Sequence, residues 1–298
     1  MPKNKNSIPD FIVPGFAKSG TSSLHDYLNQ HPDIKMSIIK EPHNYSEIEY
    51  YEQRFNPTYK LSFPTIFGGS INNKTLLGES STSYAICDYS AELIFQDNPN
   101  MKFIIIARDP IERIKSHYNW LLSFGKVEND FRTEIGAWVN KKFDIKNHVE
   151  VGYKYYTDIS LYGKQLKNYL NYFDLKNFHF LSTENLKKNP EIEMQKCFNF
   201  LNIGDFKTVN SVNANQTKEQ KMKYKFPSYI LLFKNLIPQK IKFTLKKAFG
   251  EKYSIKNKYK PVKVLKSEDI SWLKSLIIDD INQFKVLSKN KFEEWKHF

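Results

Sequence analysis

The chain has 298 residues, of which 40% are hydrophobic, and its formal net charge is +13 at pH 7. This length and apolar content allow a substantial core in one large or two small domains, and they exclude a disordered protein. No segment reaches the roughly 20 apolar residues of a membrane helix and no signal-like run follows the basic start, so a cytoplasmic protein is predicted. The two cysteines, Cys87 and Cys197, and the seven histidines lack metal-ligand spacing, so no metal site is expected.

Strand-like apolar segments alternate with segments of helical periodicity along the chain. Strands are predicted at 10–16, 74–80, 101–109 and 177–181. Helices are predicted from the end of the first loop to Pro32, from Pro110 onward, and at 158–173, 192–201 and 270–284. This alternation is typical of an α/β protein with a central parallel sheet flanked by helices. We predict a single domain over residues 1–298, with a core at about 10–205 followed by a lysine-rich segment and a C-terminal helical extension.

The segment GFAKSGTSSL, residues 15–24, connects the first predicted strand to the first predicted helix. Its two glycines have the spacing of the nucleotide-triphosphate loop G-x-x-x-x-G-K-[ST], but its lysine lies inside the loop and not after the second glycine. A loop at a helix N-terminus favours a phosphate, because backbone N–H groups and the helix dipole point at the anion. The candidate ligands are Lys18, Ser19, Gly20, Thr21 and Ser22. A plain N-cap role for Thr21 or Ser22 is the structural alternative.

A second candidate anion ligand, Arg108, ends the apolar strand at 101–109. Ligands of open parallel sheets bind at the carboxyl ends of strands, and a guanidinium can hold a phosphate with two hydrogen bonds. Ser116 follows eight residues later, about two helical turns on. The structural alternative is an ion pair of Arg108 with Asp109 or Glu112. Two phosphate sites on one sheet indicate a nucleotide that is phosphorylated at two places.

Four segments together resemble one known family. GFAKSGTSSLHDYLNQHPDI, KEPHNY, GESSTSY and IIIARDPIERIKSHYNW follow in the order and spacing of the sulfotransferases that use 3'-phosphoadenosine-5'-phosphosulfate. The resemblance is greatest to the glycan sulfotransferases of the heparan sulfate type and their bacterial relatives. It covers about 12–203, and the final helix ending near Trp295 is also similar. The resemblance implies a P-loop-like three-layer fold and a sulfuryl transfer that needs no metal.

The resemblance implies roles for the candidate residues. The loop from Lys18 to Ser22 would hold the 5'-phosphosulfate, with Lys18 near the bridging oxygen where negative charge develops. Arg108 and Ser116 would hold the 3'-phosphate, and Tyr162 matches a position where the family often has a tyrosine near the donor.

The acceptor hydroxyl or amine needs a base, since an alcohol is a poor nucleophile while it keeps its proton. Glu41 in IIKEPHNY matches the catalytic glutamate of the glycan sulfotransferases. His43 is the rival base or a substrate contact. The structural alternative for Glu41 is a surface ion pair with Lys40 or Lys35. The expected reaction is sulfuryl transfer, in line, to a carbohydrate-containing acceptor.

The chain departs from the family in two places. Ser80 stands where many heparan-type enzymes have a lysine, and the cysteine pair and the lysine-glycine-arginine loop found late in the animal glycan enzymes are absent; Lys218 and Lys221 are candidates to replace the loop. These two lie in a stretch, 217–260, with thirteen lysines against two glutamates. Contact of this stretch with a membrane surface would favour a glycolipid acceptor, and a fold over the acceptor cleft would favour an acidic sugar. No nucleic-acid partner is expected, since no basic-aromatic module is visible.

Two other functions remain open on the sequence. A P-loop kinase or other phosphotransferase would need a lysine after the second glycine and an acidic magnesium ligand, for which Asp109 is a weak candidate. A non-catalytic polyanion-binding protein would use the lysine-rich stretch alone.

Overall fold

The structure, a computed structural model, describes residues 8–46, 62–68, 75–142, 154–207, 259–290 and 292–298. In these ranges one five-stranded sheet has the order β2-β3-β1-β4-β5, and every neighbouring pair is parallel. The strands are β1 (Phe11–Val13), β2 (Ile34–Met36), β3 (Leu76–Ser80), β4 (Lys102–Ala107) and β5 (Phe178–Ser182). The predicted parallel α/β fold is confirmed.

Ten α-helices lie within the described ranges. They are α1 (Thr21–Leu28), α2 (Phe63–Phe67), α3 (Ser83–Ile86), α4 (Ser90–Asp97), α5 (Pro110–Ser123), α6 (Phe131–Gly136), α7 (Tyr162–Leu170), α8 (Thr183–Lys188), α9 (Pro190–Leu201) and α10 (Ser267–Ser288). Short 3-10 turns at Asp158–Ser160 and Leu175–Asn177 complete the regular structure of this part.

Strand β4 shows why the fold has three layers. Successive residues of a strand point to opposite faces of the sheet, and from Phe103 onward every residue of β4 is buried. Phe103 and Ile105 join a core that includes buried residues of α5, α7 and α10. Ile104 and Ile106 join a second core with buried residues of α1 and α9. The uniformly apolar sequence of β4 therefore reflects helices on both faces of the sheet.

The C-terminal helix α10 is part of the main core. Its buried residues Leu273, Ile277, Ile281 and Phe284 have the predicted helical spacing and pack in the same core as β4 and α7. Asp280 of α10 accepts hydrogen bonds from the backbone N–H groups of Gly163 and Lys164, each at 2.8 Å, and so caps the N-terminus of α7. A Cβ on Gly163 would lie 2.4 Å from the Asp280 carbonyl oxygen, so this helix contact requires glycine.

Several elements differ from the sequence-based expectation. Helix α1 ends at Leu28, before Pro32, and the predicted helix at 158–173 is a 3-10 turn followed by α7. Strand β2, with three residues, and the short helices α2, α3, α4, α6 and α8 were not predicted. Elements of three to eight residues give too few positions for a periodic pattern to stand out. Residues 217–258 of the lysine-rich stretch, including Lys218 and Lys221, lie outside the described residues.

Candidate active site

The glycine-containing loop leads from the carboxyl end of β1 into helix α1. Gly20 is the N-cap of α1 and has a left-handed backbone, with φ of 94°, which glycine adopts without steric cost. The N-cap position is occupied by this glycine, which has no side chain to cap the helix, so Thr21 and Ser22 lie inside the helix and are not its N-cap as the structural alternative requires. Thr21 is buried, whereas Ser22 and Gly20 are partly exposed. The first N–H groups of α1, which receive no side-chain bond from the N-cap glycine, fit an anionic ligand.

Lys18 is the central cation of this loop. Its backbone is left-handed, with φ of 67°, and its Nζ lies 4.9 Å from the centre of the Trp120 ring. Burial and the charges of Arg108 and Arg113 lower the pKa of Lys18 to about 8. Within the described part of the chain, no carboxylate lies in salt-bridge range of its Nζ. A partly desolvated cation among other cations is a site at which an anion would be stabilised.

Arg113 supports the loop and was not singled out in the sequence. It is fully buried and donates from Nε to the Ser160 hydroxyl at 2.8 Å and from one terminal nitrogen to the Tyr156 carbonyl at 2.6 Å. Its other terminal nitrogen lies 3.5 Å from the carbonyl oxygen of Ala17, in the loop itself. Burial and the charge of Arg108 lower the pKa of Arg113 to about 10. The available signal was the second arginine of RDPIER.

Arg108 lies where strand β4 ends, and it meets the loop. One terminal nitrogen is 3.5 Å from the Lys18 carbonyl oxygen, and the other is 3.6 Å from the Glu112 carboxylate. The ion pair with Glu112 foreseen as an alternative is therefore present. Ser116 follows Glu112 by one turn on the same face of α5, so Arg108 and Ser116 border one surface.

Asp109 has a structural role. One carboxylate oxygen caps α5 by accepting from the N–H groups of Ile111 and Glu112 at 3.0 and 3.3 Å. The other accepts from the backbone N–H of His297 at 2.9 Å and lies 2.9 Å from its Nδ1. Both oxygens are thus engaged within the chain, which disfavours Asp109 as a magnesium ligand.

Tyr162 does lie beside the loop. Its ring stacks on Phe16 with centroids 3.9 Å apart, and its hydroxyl donates to the Arg108 carbonyl at 3.1 Å. The Ser19 hydroxyl lies 3.5 Å from the Tyr162 hydroxyl oxygen, so the buried Ser19 side chain faces Tyr162. Burial raises the pKa of Tyr162 to about 12, which keeps the phenol neutral. Tyr162 therefore joins the loop, the end of β4 and helix α7.

Glu41 and His43 lie together on a segment that follows β2. Both have left-handed backbones, with φ of 61° and 59°, and the Glu41 N–H donates to the Ser80 carbonyl at 2.9 Å. The Glu41 carboxylate pairs with Lys40 at 2.6 Å, which is one of the two ion pairs foreseen as alternatives, and lies 3.8 Å from His43 Nε2. Left-handed non-glycine residues cluster at functional sites, and here Lys18, Glu41 and His43 all have this conformation.

The charge state of Glu41 follows from opposing effects. Partial burial acts to raise its pKa, but the charges of Lys40 and His43 and the hydrogen bonds from Lys40 and Thr82 outweigh it and leave the pKa below its ordinary value. The side chain is 31% exposed, so a ligand can reach it. Glu41 is therefore an ionised, accessible carboxylate at neutral pH.

Ser80, at the position where a lysine was expected from the family pattern, contacts the first helix. Its hydroxyl lies 2.9 Å from Nδ1 of His25, a buried residue of α1. Burial and the charge of Lys40 lower the pKa of His25 to about 4, so this histidine is neutral at physiological pH. The contact connects β3 to the helix that follows the loop.

Sequence comparison gives the family. A model of the sulfotransferase domain matches residues 8–260, and the chain therefore belongs to the sulfotransferase domain family. Human carbohydrate sulfotransferase 15 is 27% identical over 248 residues, covering 66% of this chain and 44% of that protein. Mouse heparan sulfate glucosamine 3-O-sulfotransferase 5 is 30% identical over 198 residues, covering 66% of this chain and 54% of that protein. The chain thus spans about half the length of the curated relatives it matches.

A solved structure supports the fold. A sulfotransferase from Alicyclobacillus acidocaldarius superposes with a TM-score of 0.67 at 20% identity, covering 97% of this chain and 99% of that one. The recognised family and the three-layer α/β fold are confirmed.

The expectation of a cytoplasmic protein is wrong. The relatives that match include carbohydrate and heparan sulfate sulfotransferases, together with a membrane-associated sulfotransferase from Dictyostelium discoideum that is 25% identical over 301 residues. The expectation rested on missing apolar runs, and an absence of this kind does not specify a compartment. No helix in the described residues is long and apolar enough to cross a membrane.

Proposed function

We propose that the chain moves the sulfuryl group of 3'-phosphoadenosine-5'-phosphosulfate to a hydroxyl or amine of a carbohydrate-containing acceptor. The observation that carries the proposal is Lys18, a partly desolvated lysine without a carboxylate partner among the described residues, beside a helix N-terminus whose N-cap residue is glycine. Membership of the sulfotransferase family supports the reaction, and the carbohydrate relatives support the acceptor class.

The residues of the loop fit the donor. The first N–H groups of α1 and the Lys18 ammonium would bind the 5'-phosphosulfate, while Arg108 and Ser116 would bind the 3'-phosphate beside Tyr162. The donor supplies a sulfuryl group whose leaving group is a phosphate. In its charged form, Lys18 stabilises the negative charge that develops on the bridging oxygen, where a preorganised cation has its largest effect. Arg113 holds the loop backbone in place through its contact with the Ala17 carbonyl.

Glu41 is the proposed base. It is ionised at neutral pH and partly exposed, so it can accept the acceptor's proton as the new S–O or S–N bond forms. The charges of Lys18 and Glu41 act on each other, which is consistent with the two groups sharing one site. His43 lies close enough to be the alternative base or an acceptor contact.

The two other functions find less support. A kinase would place lysine after Gly20, where this chain has Thr21, and would use Asp109, whose oxygens are both engaged. A polyanion-binding function would rest on the lysine-rich stretch, whose residues 217–258 lie outside the described part.

A single-turnover transfer assay tests the proposal. The purified chain is mixed with donor carrying labelled sulfate and with heparan sulfate oligosaccharides or simpler saccharides, and label should appear on the carbohydrate. Glu41→Gln should bind adenosine 3',5'-bisphosphate normally yet transfer at least about 100-fold more slowly, since it removes the base. Glu92→Gln, at an exposed position on α4, is the matched control.

Near-normal transfer by Glu41→Gln would move the base elsewhere, and His43→Ala would then be measured. Absence of bisphosphate binding in the unmodified chain would contradict the donor assignment.

A further inference from the structure

The Glu41 carboxylate is held from two sides. Its Oε1 accepts from Lys40 Nζ at 2.6 Å, and its Oε2 accepts from the Thr82 hydroxyl at 3.0 Å. Lys40 is the neighbour of Glu41 in the same segment. Thr82 belongs to another segment, between β3 and α3, and so fixes the carboxylate relative to the sheet.

Within the described part of the chain, the Thr82 hydroxyl makes its hydrogen bond to Glu41 and to no other residue. Thr82 is the N-cap residue of α3, a position where threonine ordinarily accepts a hydrogen bond from the helix. Here the side chain makes no capping bond. The hydroxyl donates to Glu41, so its observed hydrogen bond contacts the proposed base and not the helix.

The residues on either side of Thr82 hold His43. The Ser81 hydroxyl accepts from the His43 backbone N–H at 3.2 Å, and the Ser83 hydroxyl lies 2.6 Å from His43 Nδ1. Ser83 is itself 2.7 Å from the Ser46 hydroxyl. Three consecutive hydroxyls therefore contact the segment that carries both candidate bases, and Thr82 is the one that reaches the Glu41 carboxylate.

We propose that Thr82 is a positioning residue for the sulfuryl transfer. Its hydroxyl holds Glu41 Oε2 near His43 and so orients the carboxylate toward the acceptor. The inference rests on the proposed function, because it gives Glu41 the role of base. The charged and titratable groups that act on the Glu41 site are Lys40, His43, Lys18, His25 and Glu79. A substitution at Thr82 replaces none of these five side chains.

The test compares Thr82→Val, which keeps the shape and removes the hydroxyl, with Thr82→Ser, which keeps the hydroxyl. Carboxyl-detected NMR titration of protein labelled with 13C-glutamate reports the Glu41 pKa without any substrate, and Glu41→Gln assigns the signal. Thr82→Val should raise this pKa, because a hydrogen bond to the charged form is lost. It should also lower kcat by roughly ten-fold without changing the KM for the donor. Thr82→Ser should restore both values.

Thr65→Val, at an exposed threonine of α2 whose hydroxyl lies 2.8 Å from the Ser62 hydroxyl, is the control for the same chemical change. A Glu41 pKa that is the same in Thr82→Val and the unmodified chain would overturn the role of Thr82 while leaving the base assignment untouched. Full transfer activity of Glu41→Gln would remove the base assignment itself, and the titration would still report whether Thr82 orders the carboxylate.

Discussion

The two sides of the proposed active site are built in different ways. On the donor side, Lys18 lies in the loop after β1 and Arg108 lies at the carboxyl end of β4, and the fully buried Arg113 contacts the loop at the Ala17 carbonyl. On the acceptor side, Glu41 and His43 lie on a left-handed segment after β2 and are held by hydroxyl groups from residues 81–83.

This difference between the two sides affects how easily donor and acceptor specificity can change. The donor side depends on the sheet and on helix N-termini, features that every member of a fold must keep to remain folded. The acceptor side depends on side-chain contacts that a few substitutions can change without disturbing the core. A common donor and a variable acceptor are what such a division would produce.

Lys18→Ala should give the largest effect on the donor side. Removing the cation at the developing negative charge should lower kcat by about 100- to 1,000-fold, as loss of a preorganised charge-stabilising donor does. The fold should persist, because the Lys18 ammonium contacts only the Trp120 ring among the described residues. Single-turnover kinetics beside a thermal melt measure both quantities. A drop in kcat accompanied by an equal loss of folded protein would contradict the chemical role.

Arg108→Ala should weaken binding of adenosine 3',5'-bisphosphate by about 10- to 100-fold, since a charge-assisted hydrogen bond contributes about 1.5–3 kcal/mol. Calorimetric titration gives the dissociation constant. Glu112→Gln is the informative partner variant, because it frees Arg108 from its 3.6 Å ion pair and should tighten binding. Unchanged affinity in Arg108→Ala would refute the 3'-phosphate assignment.

Gly163→Ala should destabilise the packing of α7 against α10. The added Cβ would lie 2.4 Å from the Asp280 carbonyl, so α7 and α10 must separate, at a cost of about 1–3 kcal/mol in the free energy of unfolding. Gly136→Ala in α6 is the matched control, with nothing within 4 Å of the new Cβ, and it should be neutral or stabilising. Chemical denaturation measures both variants. Equal stabilities would show that the α7–α10 contact tolerates a side chain.

The smallest effect concerns pH. Lys18 has a pKa of about 8 against an ordinary 10.5, so between these values the unfolded chain binds more protons and this group makes stability rise with pH.

Binding of an anion requires the charged form, so bisphosphate affinity should fall as pH rises through about 8, by up to about ten-fold per unit. Lys18→Arg stays charged and should lose this dependence. An identical pH profile in both proteins would exclude Lys18 as its source.

The donor side was largely predictable from the sequence. A strand, a glycine-containing loop and a helix follow one another in the chain, so local spacing alone places Lys18 at a helix N-terminus. The apolar run of β4 likewise places Arg108 at a strand end. The role of Arg113 was missed because its motif does not reveal that it is fully buried against loop carbonyls.

On the acceptor side, the sequence predicted the candidate residues but not their contacts. Glu41 and His43 were singled out by resemblance, but their contacts with Thr82 and Ser83 join residues about forty positions apart. Such contacts depend on parallel pairing of β3 with its neighbours, and no local pattern encodes them. The interaction of Asp109 with His297, 188 positions away, was hidden for the same reason.

The most direct measurement is calorimetric titration of the chain with adenosine 3',5'-bisphosphate, beside ADP and beside ATP with magnesium. We expect selective micromolar binding of the bisphosphate, about −8 kcal/mol, because Arg108 and Ser116 would recognise the 3'-phosphate that the other two nucleotides lack. Preference for ATP with magnesium, or equal affinity for ADP and the bisphosphate, would contradict it.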